Sequence, residues 1–142
     1  MDAGVAMDTL SPKERSQRMS LIRNRDTKPE LLVRRLVHSC GFRYRLHDAS
    51  LPGKPDMVFR SHRKVIFVHG CFWHRHHGCG LARLPKSRLA FWLPKLNGNR
   101  RRDLKNLREL TKLGWSGEVI WECETRNLSR LAKKVRKFLN DT

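Results

Sequence analysis

The segment His69–Gly80 reads HGCFWHRHHGCG. It has neither the apolar period of a helix nor the alternation of a strand. A stretch like this cannot order itself by burying an apolar face, so it needs another organising principle. Cys71, His76 and Cys79 stand in C-x4-H-x2-C spacing. Three soft or borderline ligands so close together suit a tetrahedral zinc ion. A fourth ligand is missing locally, and Cys123 is the candidate. It follows an apolar run, Val119–Trp121, and would pin the segment to a sheet. His77 stands beside His76, and spacing does not choose between them. Cys40 lies on the apolar face of a helix and is read as core. A zinc ion closed by four protein ligands is structural, not a Lewis acid. Any chemistry must then come from other residues.

The rest of the chain carries ordinary patterning. Residues 1–10 read as a flexible leader before one domain over 11–142. Ser11-Pro12-Lys13-Glu14 joins an N-cap, a proline at the first helical position and a capping-box Glu, opening a basic helix to about Ile22. Thr27-Lys28-Pro29-Glu30 opens a second helix in the same way. Leu32, Val33, Leu36, Val37 and Cys40 share one face of it, and Gly41 stops it. Phe42, Tyr44 and Leu46 alternate with arginines as a half-exposed strand. A loop with two prolines leads to Asp56-Met57-Val58-Phe59. Val65–Val68 is a continuous apolar strand, expected to be central and buried on both faces. Residues 88–113 read as helix, broken near Pro94 and Asn97-Gly98-Asn99. Leu104, Leu107, Leu110 and Leu113 form its stripe, and Gly114 caps it. Val119–Trp121 is a further buried strand, and Leu128, Leu131, Val135, Phe138 and Leu139 mark a last amphipathic helix. This order predicts an α/β fold, a mixed central sheet flanked by helices.

Charge narrows the partner. Lys and Arg number 31 against 13 Asp and Glu, for a net charge of +18. Such an excess favours a polyanion, because each neutralised phosphate releases condensed counterions. No stretch approaches the roughly 20 apolar residues of a membrane helix. The N-terminus carries Asp2 and Asp8 and has no secretory core. Four cysteines in such a chain argue for metal or core thiols, not a disulfide scaffold. A cytosolic protein is expected.

Pro55-Asp56 stands at the entry of a strand, one strand away from Val68-His69. One carboxylate together with substrate phosphate oxygens can hold magnesium, which keeps several waters. Magnesium so held can polarise a phosphodiester for hydrolysis. His69 and His74 have the intrinsic acidity that general acid–base work wants. Spacing alone leaves open that Asp56 caps a turn and that His69 is a satisfied strand-end residue. Phe72 and Trp73 either pack over the metal or stack against bases. Phe91 and Trp92 lie among Arg83, Lys86, Arg88 and Lys95, which favours nucleic-acid contact.

Taken together, several strings resemble the very short patch repair endonucleases of bacteria. They are Leu51-Pro52-Gly53-Lys54-Pro55-Asp56, the run from Val65 through His74, Phe91-Trp92, Gly114-Trp115 and Val119-Ile120-Trp121-Glu122-Cys123. The agreement runs from about Ser16 to Arg126. The resemblance implies a restriction-endonuclease-like core with a structural zinc site. It implies magnesium-dependent nicking of one DNA strand, 5′ of the thymine in a T·G mismatch left by deamination of 5-methylcytosine. A cytosine-5 DNA methyltransferase and a repair polymerase are the implied functional partners, and the setting is the bacterial cytoplasm at the nucleoid. By motif, Asp56 is the magnesium carboxylate and the Val68 backbone carbonyl a second ligand. His74 activates water, His69 assists at the phosphate, and Glu30 helps organise water at the metal. Cys71, His76, Cys79 and Cys123 match the zinc ligands. Phe72, Trp73 and Trp92 match aromatics that wedge beside the mismatch, and Met19 matches the minor-groove side of that clamp. The usual nuclease pattern of Pro-Asp followed by acid-x-Lys is not kept: its second element reads Val68-His69-Gly70. That favours a histidine-assisted variant. A monomer is expected, since a nick needs one active site. Two other readings are a non-catalytic zinc-stabilised nucleic-acid-binding module and an endonuclease of the same fold with a different target.

Overall fold

The structure, a computed structural model, describes residues 27–141. The leader, the helix expected from Pro12 and Met19 lie outside the described residues. Helix α1 spans Lys28–Ser39. Thr27 caps it, its hydroxyl accepting from the Glu30 N–H at 3.3 Å. Val33 and Val37 are fully buried on its inner face. Gly41 leaves it at φ +93°, the left-handed turn that the sequence predicts.

Strand β1 is only Arg45–Leu46, shorter than the alternation predicts. His47 follows at φ +46°, and a left-handed residue cannot continue a strand. Phe42 and Tyr44 nonetheless pack on the core. Strand β2, Met57–Phe59, turns through Arg60–His62 into β3, Lys64–His69. Helix α2 covers Leu89–Lys112, β4 covers Ser116–Trp121, and α3 covers Leu128–Asn140. Among the described residues the strands form one mixed sheet in the order β1-β2-β3-β4. β1–β2 and β2–β3 are antiparallel, whereas β3–β4 is parallel. β3 is buried along its whole length between two partners, as its continuous apolar run predicts. β4 is an edge strand and only Ile120 is fully buried, less than the sequence predicts.

α2 corrects a third expectation. It is one helix through Pro94 and Asn97-Gly98-Asn99. Pro94 removes the bond to the Ala90 carbonyl, but both residues are exposed, so water can satisfy that carbonyl. Trp92 and Leu96 are buried on the opposite side and hold the helix down. Its predicted stripe is also narrower, since Leu104 and Leu113 are about half exposed while Leu107 and Leu110 meet the sheet.

The sheet separates two apolar cores. On one face Val33, Val37, Ile66, Ile120, Leu131, Val135 and Leu139 pack together beneath α1 and α3. On the other, Val58, Val65, Phe67 and Trp115 meet Leu107 and Leu110 of α2. A β-carbon on Gly117 would lie 2.9 Å from the Leu107 side chain, so glycine is what lets α2 approach β4 this closely. Lys64 is buried at the far end of β3. Its ammonium donates to the carbonyls of Phe138 and Asp141, closing the end of α3. The result is an α/β fold. Among the described residues, no helix is long and apolar enough to cross a membrane.

Candidate active site and metal centre

The C-terminal end of β3 and the entry of β2 open into a cavity of about 570 Å³. Its walls include Glu30 of α1, His47, Asp56, Val68, His69, His74 and Asp103 of α2. The loop before β2 shapes one side. Gly53 stands at φ +79°, and a β-carbon there would meet Asn106 at 2.9 Å and Phe67 at 3.0 Å. Both the backbone and the close approach to α2 therefore require glycine. Lys54 follows at φ +47°, bringing two left-handed residues into succession before Pro55-Asp56.

Asp56 sits where it was expected. Its Oδ2 accepts from the Val68 N–H at 2.6 Å. Its Oδ1 lies 3.9 Å from His47 Nδ1, and His47 Nε2 lies 3.7 Å from Glu30 Oε2. Glu30 also takes Arg34 at 3.0 Å. Ligand atoms of Glu30, His47 and Asp56 all lie within 4.8 Å of one another. Burial pushes the Asp56 carboxyl up to about 7, against the pull of the Val68 N–H and with the negative charge of Glu30 adding to the push. Two such carboxylates around one cavity invite a cation. Val68 lines the same cavity, next to the acid its own N–H holds. His47 is a residue that sequence reasoning missed: its neighbours pattern as strand, and only the left-handed turn brings its ring inward.

The second cluster lies across the cavity. The rings of His69 and His74 are stacked, with centroids 3.9 Å apart and planes 5° from parallel. His74 Nδ1 is 2.5 Å from Asp103 Oδ2, and His69 Nδ1 is 3.9 Å from the same oxygen. Burial holds the His69 imidazole down at about 4, helped by the neighbouring His74, so its ring is neutral at ordinary pH. Its Nδ1 is buried and has no hydrogen-bond partner among the described residues. Asp103 is the other residue that sequence reasoning missed. Embedded after Arg100-Arg101-Arg102, it reads as part of a solvated charge run. Its signal was positional: it stands four residues before Leu107 and seven before Leu110, on the stripe that faces the sheet.

Cys71, His76, Cys79 and Cys123 converge as the spacing predicts, with one ligand atom from each lying within 4.8 Å of the others. His76 Nδ1 is 3.6 Å from Cys71 Sγ and 3.4 Å from Cys123 Sγ. The fold chooses His76; His77 is exposed. The His76 ring lies flat on Trp121, with centroids 4.1 Å apart. Burial pushes the Cys71 thiol up to about 12, and it raises Cys123 as well. Thiols so placed ionise only toward a cation, so the group can hold a metal with N and S ligands. Cys40 ends α1 and takes no part in that group.

Two aromatics of this loop gather with two at the start of α2. Phe72 meets Trp73 at 5.2 Å and Trp92 at 5.5 Å, each edge to face. Trp92 is only 9% exposed and forms the base of the cluster, while Phe91 beside it is 48% exposed. Arg88 and Lys95 stand over Phe91 at 4.8 and 5.7 Å, and Lys95 also reaches Trp73. An aromatic cluster carrying two cations therefore stands next in the chain to His74.

Residues 7–80 match the family model described as DNA mismatch endonuclease Vsr. The chain is 49% identical over 133 residues to the type II nicking enzyme V.XorIIP of Xanthomonas oryzae pv. oryzae, covering 94% of this chain and 97% of that one. It is 42% identical over 134 residues to the type II nicking enzyme V.NmeAIP of Neisseria meningitidis, covering 94% and 95%. The DNA mismatch endonuclease Vsr of Escherichia coli K12 is 44% identical over 121 residues, covering 85% of this chain and 77% of its own.

Proposed function

The chain belongs to the DNA mismatch endonuclease Vsr family, and we propose that it nicks one strand on the 5′ side of the thymine in a T·G mismatch by magnesium-dependent hydrolysis. That it is a DNA endonuclease follows from the family. The observation that carries the finer reading is the convergence of Asp56 and the His69–His74–Asp103 cluster on one cavity, beside the aromatic surface. Mismatches of this kind arise when 5-methylcytosine deaminates. The proposed partners are accordingly a cytosine-5 DNA methyltransferase and a repair polymerase, in the bacterial cytoplasm. A single chain suffices for a single nick.

Asp56, with the Val68 carbonyl and Glu30 nearby, would hold the magnesium. When bound, that ion polarises the phosphoryl group and neutralises charge on the attacking and leaving oxygens. The protein's own groups do the rest. His74 takes the proton of the attacking water on Nε2, because Asp103 occupies its Nδ1 side. Asp103 orients the ring and stabilises the imidazolium as it forms. Neutral His69, stacked on His74, lies at the phosphate and keeps the site dry on that side. Phe72 and Trp73, backed by Trp92, insert where stacking is weakest. Unstacking costs a few kcal/mol per step and least at a mismatch, so deformability supplies part of the target preference.

The four-ligand centre fits zinc. Bonds of about 2.3 Å to sulfur and about 2.0 Å to nitrogen in a tetrahedron set S and N about 3.5 Å apart. The two separations from His76 bracket that value. Held by four protein ligands, zinc would have no open position and would act by ordering the loop that carries His74.

The direct test uses end-labelled duplexes holding T·G, other mismatches or only paired bases, with and without magnesium. Nicking should occur 5′ of the mismatched thymine and only with the metal. Equal cutting of paired DNA would overturn the target, and cutting in chelator would overturn the cofactor. Trp73→Ala should lose most of the preference for T·G over paired duplex; an unchanged preference in competition assays would reduce Trp73 to a cover for zinc. Asp103→Asn should lower the single-turnover rate about a hundredfold with duplex affinity unchanged. A normal rate would remove Asp103 from the mechanism.

A further inference from the structure

The metal centre and the histidine pair are joined by one side chain. Trp121 lies flat against His76, with planes 7° from parallel. The same indole meets His69 edge-on, with centroids 5.2 Å apart and planes at 75°. His69 stacks on His74, and His74 ends on Asp103. A continuous file of rings therefore runs from a ligand of the metal cluster to the proposed base.

The backbone explains why Trp121 is there. β3 and β4 are parallel, and their register pairs His69 with Trp121. Paired residues of neighbouring strands send their side chains to the same face of a sheet. Trp121 is the last residue of β4, yet it is firmly held. Its N–H donates to Glu124 Oε1 at 2.9 Å, and Lys134 grips both oxygens of Glu124 and the Val119 carbonyl. His69, by contrast, has no hydrogen bond at Nδ1 from the described residues to set its rotation. Its orientation rests mainly on the rings around it, Phe67, His74 and Trp121, with Asp103 3.9 Å from Nδ1.

We propose that Trp121 is a positioning residue. It fixes the His69 ring against His74 and ties both to His76, so that the metal centre sets the geometry of the hydrolytic pair. This inference rests on the reading above, in which His69 and His74 act at the phosphate and zinc holds His76. It adds a role that neither ligand set contains. Zinc binding then does more than stabilise a loop, because its imidazole ligand is the first member of the file.

The test uses the zinc-loaded full chain with Trp121→Leu and Trp121→Phe. Metal content, the tetrahedral thiolate spectrum of the cobalt-substituted protein, affinity for a T·G duplex and the single-turnover nicking rate are measured for each. Ring-proton resonances of the histidines give a readout independent of activity. Trp121→Leu should keep its metal and its affinity, shift the His69 and His74 resonances, and lose about tenfold or more in rate, since small misplacements of reacting groups are costly. Trp121→Phe should recover most of the rate, because a flat ring can still stand between the two imidazoles. A Leu variant that nicks at the unsubstituted rate overturns the proposal. So does an equal loss in both variants that tracks loss of metal, which would make Trp121 a piece of the metal centre's packing. An unsubstituted chain that holds zinc but fails to nick overturns the parent reading, and the proposal falls with it.

Discussion

Asp56→Asn should lower nicking about a thousandfold or more, equivalent to about 4 kcal/mol of barrier, while duplex affinity stays near that of the unsubstituted chain. The substitution keeps the shape and can still accept the Val68 N–H. It removes one of the two carboxylates that the cavity offers a cation, the one at the mouth of β2. The metal-free protein should show the same group in its pH dependence. The Asp56 carboxyl is raised from its ordinary value of 3.8 to about 7, first by burial. Between those two pH values the folded chain keeps a proton that the unfolded chain has released. The stability this contributes is fully present below about 3.8 and is lost as pH rises through about 7. A divalent cation must displace that proton. Metal affinity, followed by calorimetry, should therefore fall about tenfold for each pH unit below 7 and level off above it. The Asn variant should show neither trend. Retained cleavage at the normal rate would remove Asp56 from the site.

Cys71→Ser should cost the chain its zinc and much of its stability. Cys71 is fully buried, and its neighbours in the cluster come from a loop and from the turn after β4. Structural zinc contributes about 10–16 kcal/mol in small peptides, against a net stability of about 5–15 kcal/mol for a domain. The loop from Gly70 to Cys79 carries no strand or helix of its own. Without the ion, nothing of comparable strength orders it. Thermal denaturation should shift down by about 10 °C or more, with stoichiometric zinc lost and nicking lost with it. His76→Ala should behave alike, whereas His77→Ala and Cys40→Ser should keep both metal and melting temperature. A Cys71→Ser chain that retains its zinc would undo the ligand assignment.

The parts of this fold written as local pattern were legible in the sequence. The unbroken apolar run of β3, the cap at Thr27 and the stop at Gly41 are each decided within a few residues, and each stands in the structure. The grouping of Cys71, His76 and Cys79 was legible because such residues are rare and their spacing is short. The choice of His76 over His77 was not, because spacing along a chain carries no ring direction; only Trp121, distant in sequence, supplies a surface for one ring to lie on. Asp103 was hidden for a related reason. Its neighbours in sequence are arginines, and its neighbours in space are histidines some thirty residues earlier. The break expected in α2 failed because a proline penalty depends on which face it falls on. Here it falls on water, and tertiary packing of Trp92 and Leu96 outweighs it.

That uninterrupted α2 has a consequence of its own. It carries Trp92 near its start and Asp103 eleven residues later. At about 1.5 Å per residue the two are about 16 Å apart along a rod, with their relative rotation fixed as well. A hinge at Pro94 would have let the aromatic end and the acidic end swing independently. Joined as they are, the aromatic base and the acid that meets His74 keep one fixed distance and one fixed angle. Inserting a single residue between them would turn Asp103 about 100° out of the cavity. The spacing between the aromatic base and the acid is then a length of helix.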